Sequence, residues 1–499
     1  MRGDVRAVVL ALVLVGAAVG VGAYLNRPGS GVVLWAPAAP LFADWLPHVG
    51  PGSVFAVLIA FAVVAWGPSL AGYLRWRTLL LVGYAVSVAW TFALAMIDGW
   101  ARGFADRLTN PNEYLREVPG ITDIPAMLRG FSARILDFQP DSWTTHVSGH
   151  PPAATLVFVW LDRLGLGGGA WAATLCVLAG CLVTVAVPVT VHALSRPGPR
   201  SEPVLVGAAA GGGSGAATGA RPPGSGASAT GAGCGAGVDP VTGAEPRTAT
   251  ASESAAAAGP GLTPARVTLL FAVLFPGAVW VGASADGLFA GVTATGIALL
   301  ALGTRRLPLA VLGGLVLGFG AYLSYGLVLL GLLAVAVTFL GRSLTRAVPL
   351  ALLGALVVLT AFTATGFWWL AGYHLVVERY YQGIASDRPY WYWVWANLAC
   401  LVLAAGPALV AGVRRTGVRL LRRRGQPWRD PVLMLVAAAV VTIALADLSG
   451  LSKSEVERIW LPFTVWLLPA AALLPKSRWW LAAQAVTALA VNHLVLTYW

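Results

Sequence analysis

Charge is scarce in this chain. Only 11% of its 499 residues are Asp, Glu, Lys or Arg, while 58% are hydrophobic. Soluble domains carry about 25% charged residues, so an ordinary water-soluble enzyme is excluded. Lysine is almost missing: Lys453 and Lys476 stand alone among 33 basic residues, a bias we assign to genome composition rather than to chemistry. Cysteine is rare too. Cys176, Cys181 and Cys400 lie in apolar segments and Cys234 in a Gly/Ala tract, at spacings that fit neither a disulfide framework nor a metal site. Strand-like alternation is absent, which excludes a transmembrane β-barrel, and the chain shows no internal repeat.

Apolar sequence takes the place of charge, in runs near the ~17–25 residues that cross a bilayer. The candidate spans are 5–25, 53–74, 78–97, 169–195, 266–283, 287–304, 308–322, 325–340, 347–370, 391–412, 431–447, 459–475 and 479–497. This is the pattern of an all-α polytopic membrane protein with about 13 transmembrane helices, Gly320 to Gly326 forming the turn inside 308–340. The first run follows Arg2 and Arg6 and has no clear small-residue cleavage site, so it reads as a retained helix.

A net charge of +12 would suggest a nucleic-acid partner in a soluble protein; in a membrane protein it reports orientation, and no nucleic acid is expected. Arg2/Arg6, Arg75/Arg77, Arg305/Arg306, Arg342/Arg346, Arg414 to Arg429 and Lys476/Arg478 belong on the cytoplasmic side, which places the N-terminus there and the protein in the plasma (inner) membrane. Arg266 then starts a span inside, so 169–195 runs inward. The apolar piece 152–162 cannot cross and should lie along the outer surface as a short amphipathic or re-entrant helix. On this topology the inside holds 22 basic and 6 acidic residues, the outside 11 basic and 15 acidic. A thiol label reaching Thr155→Cys only from outside would agree with that placement. Segment 196–265, built of Gly, Ala, Ser, Thr and Pro, cannot bury a core and reads as a flexible cytoplasmic linker.

Eight of the 21 carboxylates fall between Asp98 and Asp162. Clustered carboxylates on one membrane-apposed loop suit acid–base work. Asp98 ends the third span, where the helix macrodipole works against its negative charge and keeps it basic; the bland alternative is a polar residue that stops a helix. Asp106 and Glu113 follow, the latter in Asn112-Glu113-Tyr114-Leu115. His146 and His150 are four apart, but Gly149 and Pro151-Pro152 oppose a regular helix, so phosphate or hydroxyl contact by one His fits better than a metal pair. Asp286 sits in the short turn Ser284-Ala285-Asp286-Gly287, where a helix cap is the commoner role. The outer loop 371–390 carries Arg379 before an aromatic run at 390–393. The outer loop 448–458 packs Lys453, Glu455, Glu457 and Arg458 together, and arginine suits bidentate phosphate recognition.

These residues, in this order, resemble the GT-C superfamily of polyprenyl-phosphate-sugar-dependent glycosyltransferases of the actinobacterial cell envelope. Asp98-Gly99-Trp100, Glu113-Tyr114 and His150-Pro151-Pro152 match its acidic residue, D/E-x-Y-like element and H-P-P turn; Asp286 and Glu457-Arg458 match later charged positions. The likeness covers roughly 78–305, with 1–77 forming two extra helices, 78–195 the start of the family module, a catalytic loop at 98–168, and 266–499 the remaining helices. A single Asp98, not an acidic pair, follows the helix, which is a departure from the family. The resemblance implies an extracytoplasmic active site within the lipid bilayer's outer face. Its partners would be a polyprenyl-phosphate-linked sugar donor and a glycan or glycolipid acceptor. Asp98, or Asp106 in its place, would deprotonate the acceptor, with Glu113 a third catalytic carboxylate. His146, His150, Asp286, Arg379, Lys453, Glu457 and Arg458 would bind substrate and phosphate. A divalent cation could assist but is not demanded, and Asp98→Asn would abolish transfer in a folded protein. The rival class is a membrane transporter or lipid-linked sugar flippase, which places its ionisable residues near mid-bilayer.

Overall fold

The computed structural model describes residues 2–195, 262–282, 284–422, 425–475 and 477–498. The 196–261 part of the expected linker, and with it Cys234, lies outside these residues, as does Lys476. The described chain is an all-α membrane-type protein, with one small sheet in which Ala43–Trp45 pairs antiparallel with Val495–Thr497.

Among the described residues, seven helices are long and apolar enough to cross a bilayer: Arg2–Leu25, Pro51–Tyr73, Trp76–Ala95, Gly169–Ser195, Ala285–Gly303, Leu344–Ala364 and Pro431–Leu448. An eighth is added if a bent pair counts as one span. Burial sorts them. Ala285–Gly303 is 78% buried and forms the centre, whereas Arg2–Leu25, Pro51–Tyr73 and Leu344–Ala364 are only 17–22% buried. Their outward residues, such as Leu10, Phe61 and Leu352, are apolar and exposed, a surface that only lipid satisfies. Pro308–Leu323 packs between Ala285–Gly303 and Leu344–Ala364. Backbones approach closely there because Gly314 faces the Ala351 carbonyl and Gly354 the Val311 carbonyl, where a Cβ would stand about 2 Å from oxygen.

The remaining apolar segments are helical but shorter or broken, so among the described residues seven or eight of the about thirteen expected spans are shown as single helices. Pro308–Leu323 has 16 residues, about 24 Å of helix against a ~30 Å hydrocarbon core. Segment 266–283 divides into Pro264–Val273 and Ala278–Val281 around Pro276. Segment 391–412 bends by 110° between Tyr390–Ala405 and Pro407–Arg422. Gly406 turns the chain with φ +82°. The backbone groups freed there are met by one side chain: Gln484 accepts from the Ala408 N–H at 3.1 Å and donates to the Ala405 carbonyl at 2.8 Å. Unsatisfied backbone is intolerable in hydrocarbon, which explains a fully buried glutamine in the last helix.

Helix Pro152–Arg163 is too short to cross, but it is not a surface helix throughout. Its first two turns are buried, with Thr155 and Phe158 almost completely covered, and only the end beyond Trp160 is open.

Ion pairs among the described residues fall into two sets that do not mix. Asp4 pairs with Arg414 and Arg415, all three assigned to the inner side by sequence. Every other pair joins residues assigned to the outer side, from His48 and Asp98 to Arg458 and Glu455.

Candidate active site

The loop after Trp76–Ala95 spends most of its carboxylates on its own folding. Asp123 caps Ile124–Gly130 by accepting from the Ala126 N–H at 3.0 Å. Glu117 pairs with Arg134 and accepts from the Thr144 N–H, while the Arg134 guanidinium lies 3.3 Å over the Trp143 ring. Asp137 takes Arg379 at 2.6 Å. The concentration of acid in this loop is therefore mostly architectural.

Asp98 is also tied down. One carboxylate oxygen stands 2.6 Å from His48 Nε2 and the other accepts from Arg107 Nη2 at 3.0 Å. Arg107 in turn donates to the Thr497 carbonyl. Asp98 thus joins the first outer loop, the third helix and the C-terminal strand in a clasp, and only 4% of its side chain is exposed. Asp106 is exposed; its carbonyl, not its carboxylate, accepts from Thr109.

A different group of polar residues converges deeper, drawn from four separate segments. In the first, an Asn110 turn (Oδ1 accepting from the Asn112 N–H at 3.0 Å) presents Glu113 and Tyr114. The second is the single helical turn Thr145–Ser148, pinned by the His146 N–H to the Asn112 carbonyl, from which Gly149 leads to His150 and the proline-started helix. The third is the first turn of Ala285–Gly303, where Asp286 meets the positive end of the helix. The fourth is Ser454 to Arg458. There Ser454 and Glu455 both adopt left-handed backbone, φ +75° and +62°, a strained pair for residues other than glycine. Asn397 braces that turn, accepting from the Ser454 N–H and donating to the Ser452 carbonyl and to Asp447.

Arg458 is the hub. It reaches Asp286 at 2.7 Å, Glu455 at 2.6 Å and His146 Nε2 at 3.1 Å. Since a guanidinium only donates, His146 Nε2 accepts, and its proton sits on Nδ1 facing the Asn112 carbonyl (3.0 Å) and Glu113 (3.3 Å). Burial, with Arg458 and His150 beside it, pushes the His146 imidazole down to about 3, so the ring is neutral. Burial pushes the Glu113 carboxyl up to about 8, against a smaller pull from Arg458. Its second oxygen has no hydrogen-bond partner among the described residues. Burial opposes the charge on Glu455 too, yet Arg458 and Arg388 together hold that carboxyl down to about 2. His150 is lowered by burial, and a proton on its Nδ1 serves both the His146 carbonyl and the Tyr114 hydroxyl, each 2.8 Å away.

Glu457, next to Arg458 in sequence, points away from this hub. It accepts from the Phe42 N–H at 3.3 Å, lies against Cys400, and is pushed by burial up to about 7. Lys453 and Arg379 are not brought into the cluster. Lys453 Nζ donates to the Ala385 carbonyl and stands over the Tyr381 ring; Arg379 is held by Asp137. Arg388, a charged residue of the outer loop 371–390 that sequence did not single out as a site residue, bonds Glu455 at 3.0 Å and the carbonyls of Leu34, Trp35 and Lys453. Sequence also undervalued Glu455, whose role depends on a backbone conformation with no glycine to signal it. Among the described residues no three His, Cys, Asp or Glu side chains are arranged to hold a metal ion, and the candidates bond to arginine or histidine instead. The described residues do not fit a divalent-cation site.

No protein-family model matches this chain, and no curated protein matches it.

Proposed function

We propose that this protein is a glycosyltransferase that moves a sugar from a polyprenyl monophosphate to a cell-envelope glycan or glycolipid at the extracytoplasmic face. The observation that carries the reading is the Glu113–His146–Arg458–Asp286–Glu455 assembly. A bilayer protein poor in charge gathers these groups from four distant segments and buries them together, which costs several kcal/mol per ion before pairing. Perturbed acids and bases held in one place are the usual mark of a reaction centre. GT-C architecture, with about 13 membrane segments and an outer catalytic loop, is the frame in which we place it.

In this reading an acceptor hydroxyl oxygen attacks the anomeric carbon as the bond from that carbon to the phosphate oxygen breaks. One displacement inverts the anomeric centre. The hydroxyl proton passes to a carboxylate, and we assign that role to Glu113 rather than Asp98. Both Asp98 oxygens already hold partners, whereas Glu113 has an oxygen to spare and a basicity matched to neutral pH. His146 orients Glu113, and Arg458, held in plane by Asp286 and Glu455, supplies positive charge as the lipid phosphate departs. The lipid-borne donor enters from the bilayer, so no soluble carrier is required.

A second reading, transport or flipping of a lipid-linked sugar, draws on the broken segments at Pro276 and Gly406, since transporters build their sites on discontinuous helices. The break at Gly406 is closed by Gln484 and exposes no backbone to a substrate, so we rank transport second. The two separate on one variant. Glu113→Gln in nanodiscs should reduce release of polyprenyl phosphate from a short-chain polyprenyl-phosphate sugar by about 10²–10⁴-fold. Absence of any such release by the wild-type protein, with movement of the intact donor between leaflets, would favour the transporter.

A further inference from the structure

The ion pairs built on Asp4 take no part in the proposed chemistry, but they fix the level of one helix against another. Arg2–Leu25 and Tyr390–Ala405 pack together, and the Tyr392 hydroxyl donates to the Ala18 carbonyl at 2.9 Å. From Ala18 back to Asp4 is 14 residues of the same helix, or about 21 Å at 1.5 Å per residue. There Asp4 meets Arg414 at 3.0 Å and Arg415 at 2.8 Å. The two arginines therefore stand level with the first turn of a membrane-crossing helix. Their own helix, Pro407–Arg422, reaches that level after the chain has turned by 110° at Gly406. It runs nearly square to Tyr390–Ala405, along the membrane surface rather than across it.

Pro407–Arg422 has two faces. Ala408, Leu409, Ala411, Gly412 and Thr416 are buried against the protein. Arg415, Arg419 and Arg422 recur at i, i+4 and i+7 and form one stripe, with Arg414 beside it. At its end Arg422 and its apolar neighbour Leu421 are both exposed. The start of the first helix repeats the pattern: Arg2 and Arg6 are exposed, and so is Val5 beside them. These two helices hold six arginines and one carboxylate. That carboxylate is already committed, since Arg415 donates to both Asp4 oxygens, at 3.0 and 2.8 Å. Asp4 is 1% exposed and Arg414 40%, so the surface they leave is cationic.

From this arrangement we propose that Pro407–Arg422, with the start of Arg2–Leu25, binds the headgroups of anionic phospholipids in the inner leaflet. A basic helix in the interface, with apolar side chains next to its arginines, suits a lipid better than a soluble anion, because Val5 and Leu421 are satisfied by hydrocarbon while guanidinium groups pair with phosphate. The proposal does not rest on glycosyl transfer. It also exceeds orientation, which requires arginine on that side in any arrangement.

The test is electron paramagnetic resonance of trace nitroxide-labelled phosphatidylglycerol and phosphatidylcholine in nanodiscs holding the full chain, which reads the share of each lipid slowed by the protein. Wild type should favour phosphatidylglycerol by about fivefold or more, the worth of one arginine near a charged surface. About 1 M salt, which shortens screening to about 3 Å, should erase the preference. Replacing the exposed Arg2, Arg6 and Arg422 together by Gln should bring the two lipids near parity, and replacing them by Lys should keep the preference. Arg27→Gln with Arg116→Gln, at exposed positions assigned to the outer side, should match wild type. Equal slowing of both lipids by wild type overturns the proposal, as does a preference that survives the three Gln replacements or is lost in the outer variant instead. Loss of the preference to millimolar inorganic phosphate at constant ionic strength would make this a soluble-anion surface and overturn it equally.

Discussion

Among single residues, Asp98 and Glu113, two of the three carboxylates that sequence offered as catalytic, take different roles. Asp98 neutralises Arg107, whose side chain is 6% exposed, and bonds His48. Removing one partner of a buried pair leaves an uncompensated charge and costs about 3–5 kcal/mol. We therefore expect Asp98→Asn to lower the unfolding temperature in detergent and to lose activity only through instability. A variant as stable as wild type but inactive would return the base role to Asp98. Glu113 gives the opposite signature. Its carboxyl is protonated below about 8, and a base works only when deprotonated, so kcat/KM should climb through the acid side and level off above about 8. A rate that falls across that range would make Glu113 an acid instead. The change of emphasis could not be read from sequence, because both carboxylates follow the same helix. What distinguishes them is who reaches them: His48 and Arg107 for one, burial beside a neutral imidazole for the other.

For the helices, hydropathy located the apolar segments but not their continuity. Arg2–Leu25, Pro51–Tyr73 and Pro431–Leu448 match their sequence boundaries closely, since a lipid-facing helix must be apolar along its whole length. Breaks are different. The bend after Ala405 depends on Gln484, 76 residues from the Ala408 it serves, and apolar sequence on both sides hides it. Helix Pro152–Arg163 shows a related effect: sequence established that it was too short to cross, whereas its burial depends on Tyr114 and Pro308–Leu323 packing over it. Gln484→Leu should strip partners from the Ala405 carbonyl and the Ala408 N–H, at about 1–3 kcal/mol each. Thermal unfolding of that variant checks the account; an unchanged midpoint would mean the bend does not need the amide.

At the scale of the whole molecule, the ion pairs of the described residues keep Asp4, Arg414 and Arg415, assigned to the inner side by sequence, apart from the pairs among residues assigned to the outer side. Thiol labelling tests which set faces the cytoplasm. Thr155 is fully buried and unsuited to it, so the informative positions are Leu164, 76% exposed, and Leu421, 83% exposed. With Cys234 replaced by serine, Leu164→Cys should react only from outside and Leu421→Cys only from the cytoplasm; the reverse pattern would invert the topology. Cys176, Cys181 and Cys400 are buried and add little background. The central claim, however, is that the buried Glu113–His146–Arg458 assembly transfers a sugar from a lipid phosphate. Its most direct test is the initial rate of polyprenyl-phosphate release by purified wild type and Glu113→Gln, with acceptor supplied as a membrane extract from a deletion strain, across pH 6 to 9. We predict a wild-type rate rising to a plateau above about pH 8 and a loss of about 10²-fold or more in the variant. A folded Glu113→Gln protein turning over at the wild-type rate would contradict the account.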